Sequence, residues 1–370
     1  MAAENFGGFS LMECISTKRS RRDRNIIMKP QIWENFPEDL FKVVLARLPI
    51  ATVIRFRIVC HQWNNLITSQ SFSQYHAQVS QANPWFYLAL GDASYKVTLQ
   101  KINYKFVYDP FTKRWYNSST FKIPALPVSS AGGLVCSFDH RNMYVCNPLT
   151  KSVKKLPTGS IMRQRHSLMT MNKSGDYRVL RFSHSEYEIY DSVTKIWGHL
   201  GSIPEFVQSN LYFSNPVSID DTIYFKDIGL ERIVSCNTST GVWAQHFIQV
   251  PLQSFFLRLA ESDGRIMLVG MLRKNDARYV CIWEVQKVTL LLKEVDRFRF
   301  SKSYGILRGL TCWGNNGLLL CCLRSYTMYH IVTYNIATRK WVKDHVPNGS
   351  KLVEKNIFGT AFQPCLTAMP

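Results

Sequence analysis

The sequence predicts a mainly β chain, a closed ring of six four-stranded sheets preceded by a small all-α domain. Two observations carry this reading. A short turn pattern recurs six times after residue 84, and a single block near residues 33–72 has its apolar residues at helical spacing instead. At 370 residues the chain is long for one ordinary domain and fits a repeat fold plus an appendage. With 46% apolar and 19% charged residues it is globular. No apolar run approaches the roughly 20 residues of a membrane helix. The first fifteen residues carry Glu4 and Glu13 and no basic side chain, so no secretory leader is expected.

Residues 1–30 read as a polar, disordered basic tail. Its cluster Lys18-Arg19-Ser20-Arg21-Arg22-Asp23-Arg24 fits a solvated tail or a nuclear import signal equally. A nuclear or cytoplasmic location, or both, is expected.

Residues 31–78 change character. Pro37-Glu38-Asp39 opens a helix with Pro early and acids in its first turn, where the helix dipole favours them. Leu40, Val43, Val44 and Leu48 follow at helical spacing, and Pro49 ends that helix. Ile50 begins another, carrying Val53, Phe56, Val59, Cys60 and Trp63. About 40 residues cannot bury a self-sufficient core. These helices must therefore pack on the following domain, present an apolar face to a partner, or both.

Residues 84–367 hold the repeats. An apolar run leads to Asp or Asn, with Thr three residues later and Trp six later: Asp109/Thr112/Trp115, Asp191/Thr194/Trp197, Asn237/Thr240/Trp243 and Asn335/Thr338/Trp341. Asn147/Thr150 has Val153 in the Trp place, and Glu284/Lys287/Leu290 reads as a degenerate copy. Successive first positions are 38, 44, 46, 47 and 51 residues apart. An Asp or Asn side chain accepts backbone N–H groups in a tight turn, and the Trp then opens the returning strand. Each copy follows one strand (such as Gly133–Phe138 or Leu318–Leu323) and an earlier one (such as Ser167–Asn172 or Leu310–Trp313). Four strands per repeat of about 45 residues, six times over, predict a six-bladed β-propeller. The first repeat shows three strands, beginning at Trp85. Phe358–Leu366 is an extra strand at the other end, expected to complete the first blade and close the ring.

With strands lettered a to d in each blade, the a–b and c–d turns share one face of the disc. The b–c and d–a connections share the other. The long d–a connections are Tyr116–Val128, Pro157–His166, Gly201–Asn215 and Asp296–Arg308, and long loops on a rigid scaffold are where binding concentrates. Their candidate partner-binding residues are Arg163, Arg165, Phe206, Arg297, Arg299 and Lys302. Lys plus Arg outnumber Asp plus Glu by 45 to 26, giving +19 and suggesting an acidic partner. Neither a basic recognition helix nor an aromatic RNA-binding signature is present, which argues against nucleic acid.

Catalytic signatures are missing. There is no HExxH, no G-x-S-x-G and no phosphate-binding Gly-rich loop. The nine histidines are scattered, and the ten cysteines include no CxxC. Buried thiols of a reducing compartment are expected, with no metal, cofactor or independent catalysis.

Two resemblances follow from these residues. Phe36-Pro37-Glu38-Asp39-Leu40, Val44-Leu45-Ala46-Arg47-Leu48-Pro49, Val53, Phe56-Arg57-Ile58-Val59-Cys60-His61-Gln62-Trp63-Asn64, Leu66-Ile67 and Phe72 resemble the F-box, with Phe36 where that family usually has Leu. Gly132-Gly133 and the downstream Tyr144 resemble kelch repeats, although the double glycine occurs once; Gly175, Gly264 and Gly317 stand singly elsewhere. Together, over about residues 33–366, the chain resembles the plant F-box/kelch-repeat family. The resemblance implies a substrate-recognition subunit of an SCF (Skp–cullin–F-box) ubiquitin ligase. Such a subunit reaches cullin and RING subunits through a Skp-type adaptor and leaves chemistry to its partners. Pro37, Leu40, Leu45, Leu48, Pro49, Val53, Val59 and Trp63 would form or support the adaptor face. The alternative role is an interaction scaffold without ubiquitination.

Overall fold

A computed structural model describes residues 37–69, 71–72, 75–76, 84–91, 104–118, 125–139, 142–161, 167–172, 174–183, 185–208, 216–226, 231–287, 289–300, 305–346 and 356–370. Helices α1 (Glu38–Ala46), α2 (Ile50–Phe56) and α3 (His61–Thr68) come first. Pro37 and Pro49 stand immediately before α1 and α2, and their carbonyls accept the first helical N–H groups, Phe41 N at 3.0 Å and Val53 N at 3.1 Å. Six four-stranded antiparallel sheets follow.

The sheets form a ring. Strand Trp85–Gly91 pairs on one side with Tyr104–Asp109 and on the other with the C-terminal strand Asn356–Phe362, over the register Trp85↔Phe362 to Gly91↔Asn356. The last strand is thus the inner strand a of blade one. Blade two runs Leu126–Ala131, Leu134–Phe138, Met143–Cys146 and Val153–Lys155; the later blades repeat this order.

Strands in a propeller are covered on both sides, and the packing shows why their sequences read as continuous apolar runs. Successive side chains of one strand point to opposite neighbours. Phe86, Leu88 and Leu90 join the core shared with blade six, whereas Trp85 and Tyr87 join the core shared with blade two. Likewise Leu318, Leu320 and Cys322 face blade one, and Leu319, Cys321 and Leu323 face blade five. Six apolar clusters lie between successive blades around the whole ring, and a seventh fills the helical domain.

The repeated turn is built as its side chains dictate. Asp109 Oδ1 accepts Phe111 N at 3.0 Å and Thr112 N at 3.4 Å; Asn147, Asp191 and Asn237 do the same one repeat later each time. The residue four places on adopts left-handed backbone: Lys113, Lys151, Lys195, Gly241 and Arg339 all have φ between 52° and 71°. Where the repeat carries its Trp, that ring leans on the preceding blade. Trp341 Nε1 donates to Asp296 Oδ2 at 3.1 Å, and Trp197 Nε1 donates to the Pro157 carbonyl at 2.8 Å.

Blade five corrects the expected register of that turn. Leu290, with φ +54°, donates its N–H to the Gln286 carbonyl at 2.7 Å, as Lys151 does to Asn147 and Gly241 to Asn237. The copy is therefore Gln286/Thr289/Leu292 and not Glu284/Lys287/Leu290. Glu284 lies within strand c, paired with Met267 and Lys293. The corrected position stands 49 residues from both Asn237 and Asn335. The two-residue a–b hairpins also have a physical reason for their glycines. Gly132-Gly133, Asp263-Gly264 and Asn316-Gly317 all have positive φ, as this hairpin class requires.

Candidate interaction surfaces

The helical domain separates the residues that the sequence grouped together. Leu45 and Val53 are 1% and 0% exposed and fill its interior with Ala46, Leu66, Ile67 and Phe72. Leu48 packs against that interior. Trp63 is half-buried, edge-on to Phe41 at 4.7 Å and Phe56 at 4.8 Å, and so ties α1, α2 and α3 together. Ile50 faces the other way, into the apolar cluster between blades one and two, with Ala51 and Ile54 beside it.

What remains outside is apolar. Leu40 is 52% exposed and Val59 59%, with Pro37 and Pro49 also exposed. Val44, one helical turn after Leu40, and Ile58, beside Val59, are exposed large aliphatics too. The expected face therefore divides: Pro37, Leu40, Pro49 and Val59 present surface, while Leu45, Leu48, Val53 and Trp63 support it. Val44 and Ile58 belong with the first group. Both stand in the quoted motif, and the i to i+4 step from Leu40 was the signal for Val44.

The helices sit on the face of the short turns. Ile50 shares its cluster with Trp85, where strand b of blade one begins, and with Leu149 in a c–d turn. Leu366 packs against both this cluster and the helical interior. Its segment is fixed by Asn147, whose Nδ2 donates to the carbonyls of Cys365 at 2.8 Å and Ala368 at 2.9 Å. A Cβ on Gly133 would come within 2.4 Å of Cys365 Cβ, so a glycine is needed where this segment crosses. The opposite ends of the strands, from which the b–c and d–a connections depart, make up the other face, called the open face below.

Of the candidate residues on the open face, Arg163, Arg165 and Lys302 lie outside the described residues, as does Lys18–Arg24 in the tail. Phe206 sits on the short helix Glu205–Gln208 and is 40% exposed. Arg297 and Arg299 prove to be strand residues, because strand d of blade five continues to Arg299 and the connection starts only at Phe300. The Arg297 guanidinium is also engaged, donating to both Glu294 carboxylate oxygens at 2.5 and 2.7 Å, and this ion pair raises its pKa further. It is not a free cation. Arg299 is exposed.

Comparison with known proteins places the chain. A family model described as "F-box domain" matches residues 33–75, and one described as "F-box associated beta propeller domain" matches residues 93–253. F-box only protein 6 of Arabidopsis thaliana is 39% identical across 98% of this chain and 83% of that protein. The chain belongs to the F-box protein family. Protein UNUSUAL FLORAL ORGANS of the same plant is 24% identical, covering 85% of this chain and 79% of that one. An Arabidopsis thaliana F-box/kelch-repeat protein is 24% identical, covering 90% of each. Among solved structures, TolB from Acinetobacter baumannii aligns with a TM-score of 0.49 at 10% identity, covering 79% of this chain and 72% of that one.

An F-box implies binding to a Skp-type adaptor within an SCF complex, and an F-box followed by a propeller has the general role of substrate receptor. F-box proteins are in general non-catalytic adaptors. Burial pushes Cys136, Cys146, Cys236 and Cys281 up to about 12, holding them as unreactive thiols.

Proposed function

We propose that this protein is the substrate-recognition subunit of an SCF ubiquitin ligase. The outer residues Leu40, Val44, Ile58 and Val59 dock the Skp-type adaptor, and the open face of the propeller receives the protein to be ubiquitinated. Cullin and RING subunits join through the adaptor, and transfer chemistry belongs to those partners. The protein acts in the nucleus, the cytoplasm or both. One observation carries the reading. The F-box keeps large aliphatic side chains in water although an interior and a propeller seat are both available to it. The arrangement suits a bridge, since the F-box packs at the short-turn face and the b–c and d–a ends of the strands point the other way.

The test is co-purification of the full chain with a Skp-type adaptor. Leu40→Lys with Val59→Asp should weaken capture by at least about tenfold, because two rim-to-centre apolar contacts become charges in a desolvated interface. In a reconstituted ligase, ubiquitin should pass to the bound partner with the parent chain and not with this variant. Retained adaptor binding by the variant would overturn the docking surface. Adaptor binding without any transfer would support the scaffold role instead.

A further inference from the structure

The six inner strands are not equivalent at the open face. Three carry a β-bulge, and each bulge sits within the first four residues of its strand, at the open-face end. The pairing skips Val128 in blade two, Phe256-Leu257 in blade five and Arg308 in blade six. The inner strands of blades one, three and four pair with strand b without a shift. Bulges re-aim side chains and concentrate where a site is built. The blade-five bulge also holds Phe256 at φ +55°, a left-handed conformation that a bulky residue seldom adopts. The strand beside it is fitted to the bulge. A Cβ on Gly270 would meet Leu257 Cδ2 at 2.5 Å.

Blades five and six are adjacent, and their open-face ends share one apolar floor. Leu307, Phe255, Phe256, Phe298 and Phe300 belong to a single cluster. At the same open-face ends Leu252, Ile306, Tyr326 and Met328 are exposed, Leu252 by 91%. The bulged Arg308 is exposed and lies over the Tyr326 ring, 4.3 Å from its centroid. Lys274 and Arg299 are exposed at the open-face end of blade five, on its side toward blade four, since Leu272 and Tyr279 of the same side join the cluster shared with that blade. Neither cation has a carboxylate partner among the described residues. The nearby carboxylates Asp276 and Glu294 are each engaged by an arginine, Arg273 and Arg297.

We propose that the open-face ends of blades five and six together form the degron site, and that they take an extended acidic segment carrying apolar side chains. This rests on the receptor reading and names the substrate class. The chemistry follows from the mixture. Exposed apolar side chains flanked by cations that have no carboxylate partner among the described residues suit a peptide that crosses the blade ends and offers carboxylates and an apolar anchor. A single-stranded nucleic acid would use open aromatic faces as stacking platforms, and the exposed aromatic here is already covered by Arg308. The net charge of +19 steers an acidic segment toward the protein.

The experiment is panning of a displayed random peptide library on the full chain. Net-acidic peptides with a large apolar residue should be enriched. The strongest should bind at least about tenfold more weakly to Lys274→Glu/Arg299→Glu/Arg308→Glu, the loss expected when interfacial cations are reversed. All three side chains are exposed, so this variant should keep the parent's thermal unfolding. Gly270→Ala, which presses on the bulge without changing charge, should weaken the same peptides. Enrichment of neutral or basic peptides, no enrichment, or undiminished binding by the charge-reversed variant would each overturn the proposal. Competition by an RNA oligonucleotide or an anionic lipid vesicle in preference to the peptides would do so too. The adaptor variant Leu40→Lys/Val59→Asp separates the two readings, because it should still bind the peptides. Failure of adaptor capture with peptide binding intact refutes the receptor reading alone.

Discussion

The two faces of the disc are held together differently. On the short-turn face, blade after blade uses one device: an Asp or Asn carboxyl or amide oxygen caps two N–H groups, and the residue four places on turns left-handed. On the open face the described features differ from blade to blade: bulged inner strands in some, a short helix, an Arg over a Tyr, a buried ion pair. Repetition builds the scaffold and the anchor for the F-box. Departure from repetition builds the surface on which a substrate can be chosen. The difference matters energetically as well. A repeated turn is one of several similar contributions, whereas a unique contact on the open face has no substitute.

The largest effect should come from the one place where both faces depend on a single segment. Removing residues 356–370 takes away strand a of blade one, the Leu366 contact with the F-box and both carbonyl partners of Asn147 Nδ2. Blade one then exposes an unpaired inner edge. The loss should exceed the whole net stability of a domain, about 5–15 kcal/mol, and the truncate should fail to melt cooperatively in calorimetry. Leu366→Asp should be milder. It costs about 2–3 kcal/mol, as for loss of a large apolar contact, and it should raise hydrogen exchange in α1–α3 while the blades stay protected. A soluble truncate with a sharp transition would show that the ring does not need its last strand.

A second break tests the open face alone. Arg181 and Glu188 form a buried ion pair on blade three, and Glu188 Oε2 also accepts Ser160 N at 3.1 Å and Ser160 Oγ at 2.7 Å from the connection leaving blade two. Gly159 leaves no room above them, since a Cβ there would approach Arg181 Nη2 at 2.2 Å, closer than real contacts allow. Glu188→Leu should cost about 3–5 kcal/mol, because the arginine stays buried without its partner. Adding Arg181→Met should recover most of that loss, and urea unfolding of the two variants measures the difference. Equal losses would mean that packing, and not the uncompensated charge, dominates.

Legibility in the sequence followed the same division. The Asp/Asn–Thr–Trp spacing exposed the blade count, the strand order and the closing strand, because a repeated local rule is visible without knowing what it packs against. Leu45 and Leu40 show the limit. Both are leucines in one helix with helical spacing, and only the packed bundle shows that Leu45 points inward and Leu40 outward. Arg297 shows a second limit. A cation in an expected loop looked available, but its strand runs on and Glu294 lies three residues back on the same strand. The bulges at Phe256 and Arg308 have no sequence signature at all, since they arise from pairing with strand b. Gly270 is the one trace, and its meaning depends on Leu257 being opposite.

The smallest predicted effect sharpens the comparison most, because it asks whether the repeated device can be restored where it has decayed. In blade five the turn retains its backbone bonds, Leu290 N to Gln286 O at 2.7 Å and Gln286 N to Leu291 O at 3.0 Å. It also retains the Thr, whose Oγ1 accepts Leu291 N at 3.4 Å as Thr240 Oγ1 accepts Val242 N. It lacks the short side chain whose oxygen, in the other copies, accepts the N–H groups two and three residues on, since Gln is one methylene too long for that ring. Gln286→Asn should therefore stabilise the protein by roughly 0.5–1 kcal/mol, the usual gain from a restored cap. Glu284→Ala, at the position that the sequence pattern alone picks out, should leave unfolding within about 0.5 kcal/mol of the parent. A stabilising Gln286→Asn with a silent Glu284→Ala fixes the blade-five register by energetics. The reverse result would put the turn two residues earlier and break the even spacing on either side of it.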